Sequence, residues 1–227
     1  MDCEGVMIEA ESYMGGLIDL LKQNFKSRLL YAGLQGSYLR NEADKNSDID
    51  IMVIIDSLTI KDLDLYKSIV AANGNANKSC GFICGKSELV NWNPCEICQL
   101  IHTTKDYYGK LTEFVPVYTT EDERNFIKLS LNNLYHEICH RYIHASREKN
   151  LEKLPHTYKS VFFILQNLHF QKTGCFIQTK KELLSNLSGE DYAVLYESFK
   201  IRNQNKYDFD KSFQMLFQWC QNVIQTI

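Results

Sequence analysis

The alternation of apolar and polar positions divides the chain into two halves with different predicted structure. In the first half, apolar runs at 28–34, 48–55 and 80–84 predict strands, and helical spacings at 7–26, 59–72 and 94–101 predict helices. From about residue 119 only helical patterns follow, at about 120–144, 157–172, from 179, at 190–200 and at 210–224. This order predicts an α+β protein, with a small mixed-sheet domain over 1–118 and a C-terminal helical bundle over 119–227.

An acidic stretch, Thr119-Thr120-Glu121-Asp122-Glu123, marks the predicted boundary between the halves. Thr120 and Glu123 have the spacing of a capping box, in which each side chain bonds a backbone N–H of the other residue. Acidic side chains are also favourable at a helix N-terminus. The helical half is therefore predicted to begin here.

Two carboxylates enter the most regular of the predicted strands. Asp48 and Asp50 are two residues apart, so both point to one side of the strand while the residues between and after them point into the core. The turn Gly36-Ser37 precedes them and offers backbone N–H groups to a phosphate. Mg²⁺ is typically held by one or two carboxylates together with substrate phosphates, and such ions assist phosphoryl transfer. The sequence therefore predicts a magnesium–nucleotide site.

Composition narrows the choice of partners. The formal net charge is −3, with acids and bases interspersed, whereas a nucleic-acid-binding protein normally shows a basic stripe. We therefore expect a small or cationic substrate rather than a large RNA. The N-terminus does not resemble a signal peptide and no apolar run reaches membrane-spanning length, so a cytoplasmic location with eight reduced cysteines is expected.

The first half resembles a known family. A strand, Gly36-Ser37, ten further residues and then Asp48-Ile49-Asp50-Ile51 is similar to the signature of the DNA polymerase beta-like nucleotidyltransferases, and Arg40 fits their Gly-Ser-x-x-Arg pattern. Residues 86–92 resemble a stretch of streptomycin- and spectinomycin-type aminoglycoside adenylyltransferases. Residues 133–137 resemble part of the helical domain of kanamycin-type nucleotidyltransferases.

The resemblance implies roles for the residues of the signature. Gly36 and Ser37 would hold the phosphates of a nucleotide, as helix N-termini hold anions, and Arg40 would assist them. Asp48 and Asp50 would bind Mg²⁺ while an acceptor hydroxyl attacks the α-phosphorus and pyrophosphate leaves. The resemblance thus assigns a nucleotidyltransferase domain to 1–118 and a helical substrate-binding domain to 119–227.

The third acid of the family is missing from its usual place. The resemblance puts Cys80 at that position, on the next strand of the sheet, and this strand carries no acid. The kanamycin-type arrangement takes its base from the helical domain, which makes Glu137 the preferred catalytic candidate. His136 and Glu88 are the alternatives, since a base must reach the acceptor hydroxyl.

Three further patterns have both a functional and a plainer interpretation. His136-Glu137-Ile138-Cys139-His140 has the spacing of a zinc-protease helix, but a recognisable third ligand is missing and a polar helix face explains it as well. Cys80, Cys84, Cys95 and Cys98 are a candidate zinc site or, more simply, buried free thiols. Residues 202–207 resemble the motif of HEPN ribonucleases, with Tyr207 in place of its histidine.

Lys159 lies at a predicted helix start, where it is either a nucleotide-binding cation or a solvated lysine. Taken together, the sequence predicts a Mg²⁺-dependent enzyme. It would transfer AMP from ATP to a hydroxyl of a small molecule, with an aminoglycoside-like antibiotic as a candidate acceptor and antibiotic resistance as the result. The alternatives are a catalytically impaired nucleotide-binding or regulatory module, and an antitoxin-like nucleotidyltransferase.

Overall fold

The computed structural model describes residues 7–203 and 207–227, with no side-chain description for residue 203. The chain forms two compact units, which meet in sequence between Val117 and Tyr118. The first unit combines a sheet with helices and the second is helical, which confirms the predicted α+β class.

The first unit is built on a four-stranded sheet. Its strands are β1 (Leu29–Gln35), β2 (Ile49–Ile55), β3 (Ser79–Gly85) and β4 (Lys105–Tyr108). Its helices are α1 (Ala10–Phe25), α2 (Gly36–Leu39), α3 (Ile60–Ala72), α4 (Lys86–Val90) and α5 (Pro94–His102), and short 3₁₀ turns cover Lys26–Arg28, Ala76–Lys78 and Leu111–Glu113.

The strand order is β3-β2-β1-β4. β1 runs antiparallel to both β2 and β4, whereas β2 and β3 are parallel and are joined by α3 as a crossover helix. Successive side chains of β2 point to opposite faces, and both faces are covered. Ile49, Ile51, Val53 and Ile55 pack with α1 and α3, and Met52 and Ile54 form a smaller cluster on the other face.

The second unit consists of helices around one core. The helices are α6 (Thr120–His144), α7 (Arg147–Thr157), α8 (Lys159–Thr173), α9 (Lys180–Ser185), α10 (Gly189–Asn203) and α11 (Phe209–Thr226). α8 is the most buried of them, and its apolar residues meet those of α6, α10 and α11 in one cluster that includes Leu131, Phe162, Leu165, Leu195 and Trp219.

The sequence patterns did not predict β4 or α7. β4 has only four residues and no apolar alternation, and it forms because it pairs with β1. α7 lacks an apolar stripe and contains Pro155, which has no N–H to donate to the carbonyl of Leu151 four residues earlier. The hydroxyl of Tyr207 donates to that carbonyl instead, so the missing helical bond is replaced.

The predicted start of the helical unit was wrong by one residue. The capping box consists of Thr119 and Asp122 rather than Thr120 and Glu123. Thr119 has the extended backbone of an N-cap, and its hydroxyl accepts a bond from the Asp122 N–H at 3.3 Å.

None of the helices in residues 7–203 and 207–227 combines the length and the apolar composition of a membrane-spanning segment.

Candidate active site

The candidate site lies at one edge of the sheet. Because β1 is antiparallel to β2 and β4, the end of β1 lies beside the starts of those two strands, and the start of parallel β3 lies beside that of β2. At this edge Asp50 is paired with Gln35 on β1 and with Cys80 on β3. The sheet therefore brings the Gly-Ser turn and the aspartate pair together, although they are separated in sequence.

Gly36 is in direct contact with Asp50. It follows β1 with a φ of +72°, a conformation that residues with a side chain rarely adopt. A Cβ atom at this position would lie 1.9 Å from Oδ2 of Asp50, so the space next to the backbone is filled by the carboxylate. Glycine is required here both for the turn and for the close approach of Asp50.

The two aspartates have different surroundings. Asp48 precedes β2 and is exposed, whereas Asp50 is the second residue of β2 and is partly buried. Burial, and then the negative charge of Asp48, raises the pKa of Asp50. A hydrogen bond with Cys80 and the charge of Arg40 act in the opposite direction. The balance leaves the pKa of Asp50 above the ordinary aspartate value.

The loop before Asp48 is held by its own hydrogen bonds. Asp44 accepts bonds from the Asn46 N–H at 2.8 Å and from the Ser47 hydroxyl at 3.2 Å. Nζ of Lys78, just before β3, donates to the carbonyl of Lys45 at 2.9 Å. These bonds fix the loop that leads into Asp48.

Arg40 is less accessible than its predicted role suggests. Its side chain is only 8% exposed, and its Nε lies 3.1 Å from Oε2 of Glu42. Ser37 is partly exposed, and its carbonyl accepts a bond from the Glu42 N–H at 2.9 Å. The Ser37 side chain is therefore accessible at the turn. Arg40 is mostly covered, and its positive charge lowers the pKa of Asp50.

Two polar residues extend the site across the sheet, and the sequence patterns did not predict their pairing. Nε2 of Gln35 donates to the hydroxyl of Thr104 at 2.8 Å, and that hydroxyl donates to the carbonyl of Leu100 at 2.6 Å. Gln35 stands out in sequence as a polar residue at the end of an apolar strand. No sequence pattern pointed to Thr104, because its position next to Gln35 depends on the pairing of β4 with β1.

Glu88 lies at the opposite end of the sheet. It belongs to α4, which follows β3, and β3 runs parallel to β2 from the Asp50–Cys80 pair to the Ile55–Gly85 pair. Five residues of strand span about 16 Å, so Glu88 is far from Asp50. This placement argues against Glu88 as the third acid, and β3 itself carries no acidic residue.

The remaining predicted residues belong to the second unit. Glu137 is partly buried on α6, and its Oε1 accepts a bond from the Thr157 hydroxyl at 3.2 Å. His136 is exposed, with its ring 5.9 Å from that of His140. Lys159 is an exposed residue at the start of α8.

The candidate zinc patterns do not form ligand clusters. Within 7–203 and 207–227, no group of three or more His, Cys, Asp or Glu side chains is arranged to hold a metal ion. Of the four cysteines considered, Cys84 and Cys98 are buried and Cys80 is exposed. The HEPN-like motif includes residues 204–206, which lie outside the described residues.

The donors at the sheet edge nevertheless fit a cation that arrives with a nucleotide. Asp48 and Asp50 supply two carboxylates, and the Gly36 backbone leaves room for one of them. A hard divalent ion needs only one or two protein carboxylates when phosphates and water complete its ligands. The structure thus matches the number of donors, without specifying the ion.

Comparison with known proteins agrees with this arrangement. The nucleotidyltransferase domain family matches residues 16–89, which contain the second half of α1, then β1, β2, α3 and β3, and the residues Gly36, Ser37, Asp48 and Asp50. No curated protein sequence matches the chain significantly.

Among solved structures, the chain is similar to the spectinomycin adenyltransferase AAD(9) from Enterococcus faecialis with ATP and spectinomycin. The TM-score is 0.62 at 14% identity, covering 95% of this chain and 99% of the other. A toxin–antitoxin structure with AMP-PNP aligns at a TM-score of 0.33 and 23% identity over 57% of this chain and 92% of the other. The toxin–antitoxin MntA-HepT aligns at 0.31 and 21% over 58% and 92%.

At 14% identity, the similarity to the adenyltransferase is one of fold, and it extends over nearly the whole chain. The family match is independent of it and includes every residue of the signature in the first unit. The two comparisons confirm the prediction that the first half of the chain resembles a nucleotidyltransferase. Residues 16–89 match the nucleotidyltransferase domain family, in a chain whose fold is similar to that of a spectinomycin adenyltransferase.

Proposed function

We propose that the protein is a Mg²⁺-dependent adenylyltransferase that transfers AMP from ATP to a hydroxyl group of a small molecule. The contact between the Asp50 carboxylate and the Gly36 backbone carries this proposal, because it joins a phosphate-binding turn to a metal-binding side chain. The nucleotidyltransferase family match supports the reaction class. In this proposal, 1–118 binds the nucleotide and 119–227 binds the acceptor.

Each proposed residue has a defined task. Asp48 and Asp50 hold Mg²⁺, whose charge neutralises the phosphates and the developing transition state. The backbone of Gly36 and the hydroxyl of Ser37 bind phosphate oxygens, and Lys159 contributes a further positive charge. Much of the rate then comes from holding the α-phosphorus in line with the acceptor oxygen.

Glu137 is the proposed general base. Its Oε1 accepts a bond from the Thr157 hydroxyl, which restricts its orientation, and in this proposal Oε2 accepts the proton. Glu137 would take the proton of the acceptor hydroxyl as its oxygen bonds to the α-phosphorus, and pyrophosphate would leave.

The class of acceptor is proposed from the solved structure of similar fold. The similar adenyltransferase structure contains ATP and spectinomycin, so aminoglycoside-like antibiotics are the first acceptors to test. Transfer to such an antibiotic would make the protein a resistance enzyme that acts in the cytoplasm, where ATP is available.

The test is incubation with ATP, Mg²⁺ and a panel of hydroxyl-bearing antibiotics, including spectinomycin, aminoglycosides and lincosamides. We expect pyrophosphate release that depends on one acceptor class, and an adenylylated product by mass spectrometry. Absence of pyrophosphate release with every acceptor would contradict the antibiotic assignment.

Matched variants test the residues. Asp48→Asn and Asp50→Asn should reduce turnover at least about a hundredfold, since each removes a charge that the cation needs. Asp64→Asn, at an exposed aspartate of α3, is the control and should leave turnover unchanged. Glu137→Gln should lower kcat more than KM, whereas Glu152→Gln on the exposed side of α7 should not.

A nucleotide-binding or regulatory module without transferase activity is the second candidate. The observation in its favour is that β3 carries Cys80, and no acid, opposite Asp50. Calorimetry separates the two functions. Binding of ATP that is lost in Asp48→Asn and Asp50→Asn, without turnover of any acceptor, would favour this module over the enzyme.

A further inference from the structure

Three histidines form a stripe along the C-terminal part of α6. His136, His140 and His144 follow one another at intervals of four residues, so they lie on one face of the helix, and all three are exposed. Their rings are not evenly spaced. The ring centroids of His136 and His140 are 5.9 Å apart, whereas those of His140 and His144 are only 4.7 Å apart.

The shorter distance is the one expected for two imidazoles that bind one metal ion side by side. A ligating ring nitrogen lies about 2.0–2.1 Å from an ion such as Zn²⁺, which places the ring centroid about 3.2 Å from the ion. Two centroids 4.7 Å apart then subtend about 95° at the ion, close to the right angle between neighbouring ligands of an octahedral or square-planar ion. For His136 and His140 the angle is about 135°, which is too wide for either geometry.

The backbone that carries the closer pair is fixed at the end of the helix. Nδ2 of Asn150, a buried residue, donates to the carbonyl of Arg141 at 3.1 Å and to that of Ala145 at 3.4 Å. Helix ends otherwise tend to fray. The two histidines are therefore held at their spacing before an ion binds, which lowers the entropic cost of binding.

The residues between the two histidines contact other helices. Nη2 of Arg141 donates to the carbonyl of Lys149 on α7 at 2.8 Å, and the ring of Tyr142 stacks on that of Phe213 on α11. Neither contact covers the face that carries the histidines, which stays exposed. This face also lies at the C-terminal end of α6, where the partial negative charge of the helix favours a cation.

We propose that His140 and His144 bind a divalent transition-metal ion of the class that prefers imidazole, such as Ni²⁺ or Cu²⁺, through one ring nitrogen each. Mg²⁺ prefers carboxylate and water oxygens, so this site differs in chemistry from the one at Asp48 and Asp50. Among the residues that the structure describes, no group of three metal-binding side chains forms, and water completes the coordination here. The inference does not depend on the proposed transferase function.

The test is a calorimetric titration of the whole chain, without an affinity tag, with Ni²⁺ alone. His140→Asn and His144→Asn each remove one ring. His156→Asn is the matched control, because His156 is an exposed histidine of α7 with no other histidine one turn away in sequence. All variants keep the same cysteines, so binding of Ni²⁺ to thiols contributes equally. Circular dichroism checks that each variant is folded.

We expect the natural protein and His156→Asn to bind Ni²⁺ with equal affinity. His140→Asn and His144→Asn should each bind it about a hundredfold more weakly, because a second ligand held nearby multiplies the affinity of the first. His136→Asn should leave the affinity unchanged, since its ring is too far from that of His140. Hydrogen exchange locates the ion independently: Ni²⁺ should slow exchange of the last amides of α6 in the natural protein but not in His144→Asn.

Equal Ni²⁺ affinities for the natural protein and either His140→Asn or His144→Asn would overturn the inference, as would the absence of measurable binding by the natural protein. A loss in His136→Asn as large as that in His144→Asn would also overturn it, because the ion would then not be held by the closer pair. A loss of similar size in His156→Asn would show that binding is not specific to this face.

Discussion

Asp48 and Asp50 enter the same strand, yet at the residue scale the structure gives them different surroundings. Asp48 is exposed and adds charge to the edge of the sheet, whereas Asp50 is partly buried between Gly36 and Cys80. Alternation along a strand predicts that the two side chains share a face. It does not predict which of them is enclosed, because the enclosing residues come from the turn after β1 and from β3.

Replacing Gly36 tests the close contact at the site. Gly36→Ala places a side chain at a φ of +72° and against the Asp50 carboxylate. We expect a loss of about 1–2 kcal/mol in the free energy of unfolding from the backbone conformation, and at least a tenfold loss of nucleotide affinity from displacement of Asp50. Urea denaturation and calorimetry measure the two effects.

Gly74→Ala is the matched control. Gly74 has a φ of +83°, and a Cβ atom at this position would meet no other atom within 4 Å, so the variant experiences the backbone cost without the contact. It should lose similar stability and keep its nucleotide affinity. Equal nucleotide affinities for the two variants would show that the Gly36–Asp50 contact does not matter for binding.

At the scale of elements, α3 is fixed at its start by a charged network. Arg28 donates to Asp62 at 2.7 Å and to Asp56 at 2.9 Å, and Asp62 also caps the helix with Thr59. The bonds from Arg28, and then from Thr59, hold the pKa of Asp62 well below its usual range. The network joins the turn before β1, the residue after β2 and the first turn of α3, and so supports the crossover that places β3 beside β2.

This network predicts a specific pH dependence of stability. Since the pKa of Asp62 is lower in the folded state, its contribution is fully present above the ordinary aspartate pKa of about 3.9 and is lost as the pH falls towards the folded value. Asp62→Asn should therefore be less stable than the natural protein at pH 7 and show a shallower loss of stability below about pH 4. Urea midpoints at several pH values measure this, with Asp64→Asn as the control. Parallel curves for all three proteins would contradict the role of Asp62.

A buried polar contact connects two helices of the second unit. The Ser212 hydroxyl on α11 donates to Oε1 of Glu197 on α10 at 2.6 Å, and Glu197 is only 5% exposed. Ser212→Ala removes this donor from a buried carboxylate and should cost about 1–3 kcal/mol of unfolding free energy. Ser185→Ala, at an exposed serine of α9, should change stability by less than about 0.5 kcal/mol. Similar urea midpoints for both variants would count against the buried contact.

At the scale of the whole molecule, ligand binding should be visible as stabilisation. A ligand that binds only the folded protein at a hundred times its Kd adds about 2.7 kcal/mol to the free energy of unfolding. We expect an ATP analogue with Mg²⁺ to raise the Tm of the natural protein in a concentration-dependent manner, and to have no effect on Asp50→Asn. A shift of equal size in this variant would place the nucleotide elsewhere.

Local sequence patterns were sufficient for most of the architecture. The strands β1, β2 and β3, the helices α1, α3, α5, α6, α8, α10 and α11, and the α+β class follow from apolar periodicity, because these elements bury one face or both. The patterns failed at β4 and α7. Both are mostly polar, and long-range contacts stabilise them: Tyr31 with Asp106, and Tyr207 with Leu151.

By itself, the sequence determined that a glycine–serine turn and two strand-entry carboxylates occur at the spacing of a nucleotide site, since turn residues and strand alternation are local properties. Tertiary structure decided how these groups meet. Pairing of β1 with β2 brings Gly36 against Asp50, and the parallel pairing of β3 places Cys80 opposite the same carboxylate. Strand register depends on residues far apart in the chain, so no local pattern specifies these contacts.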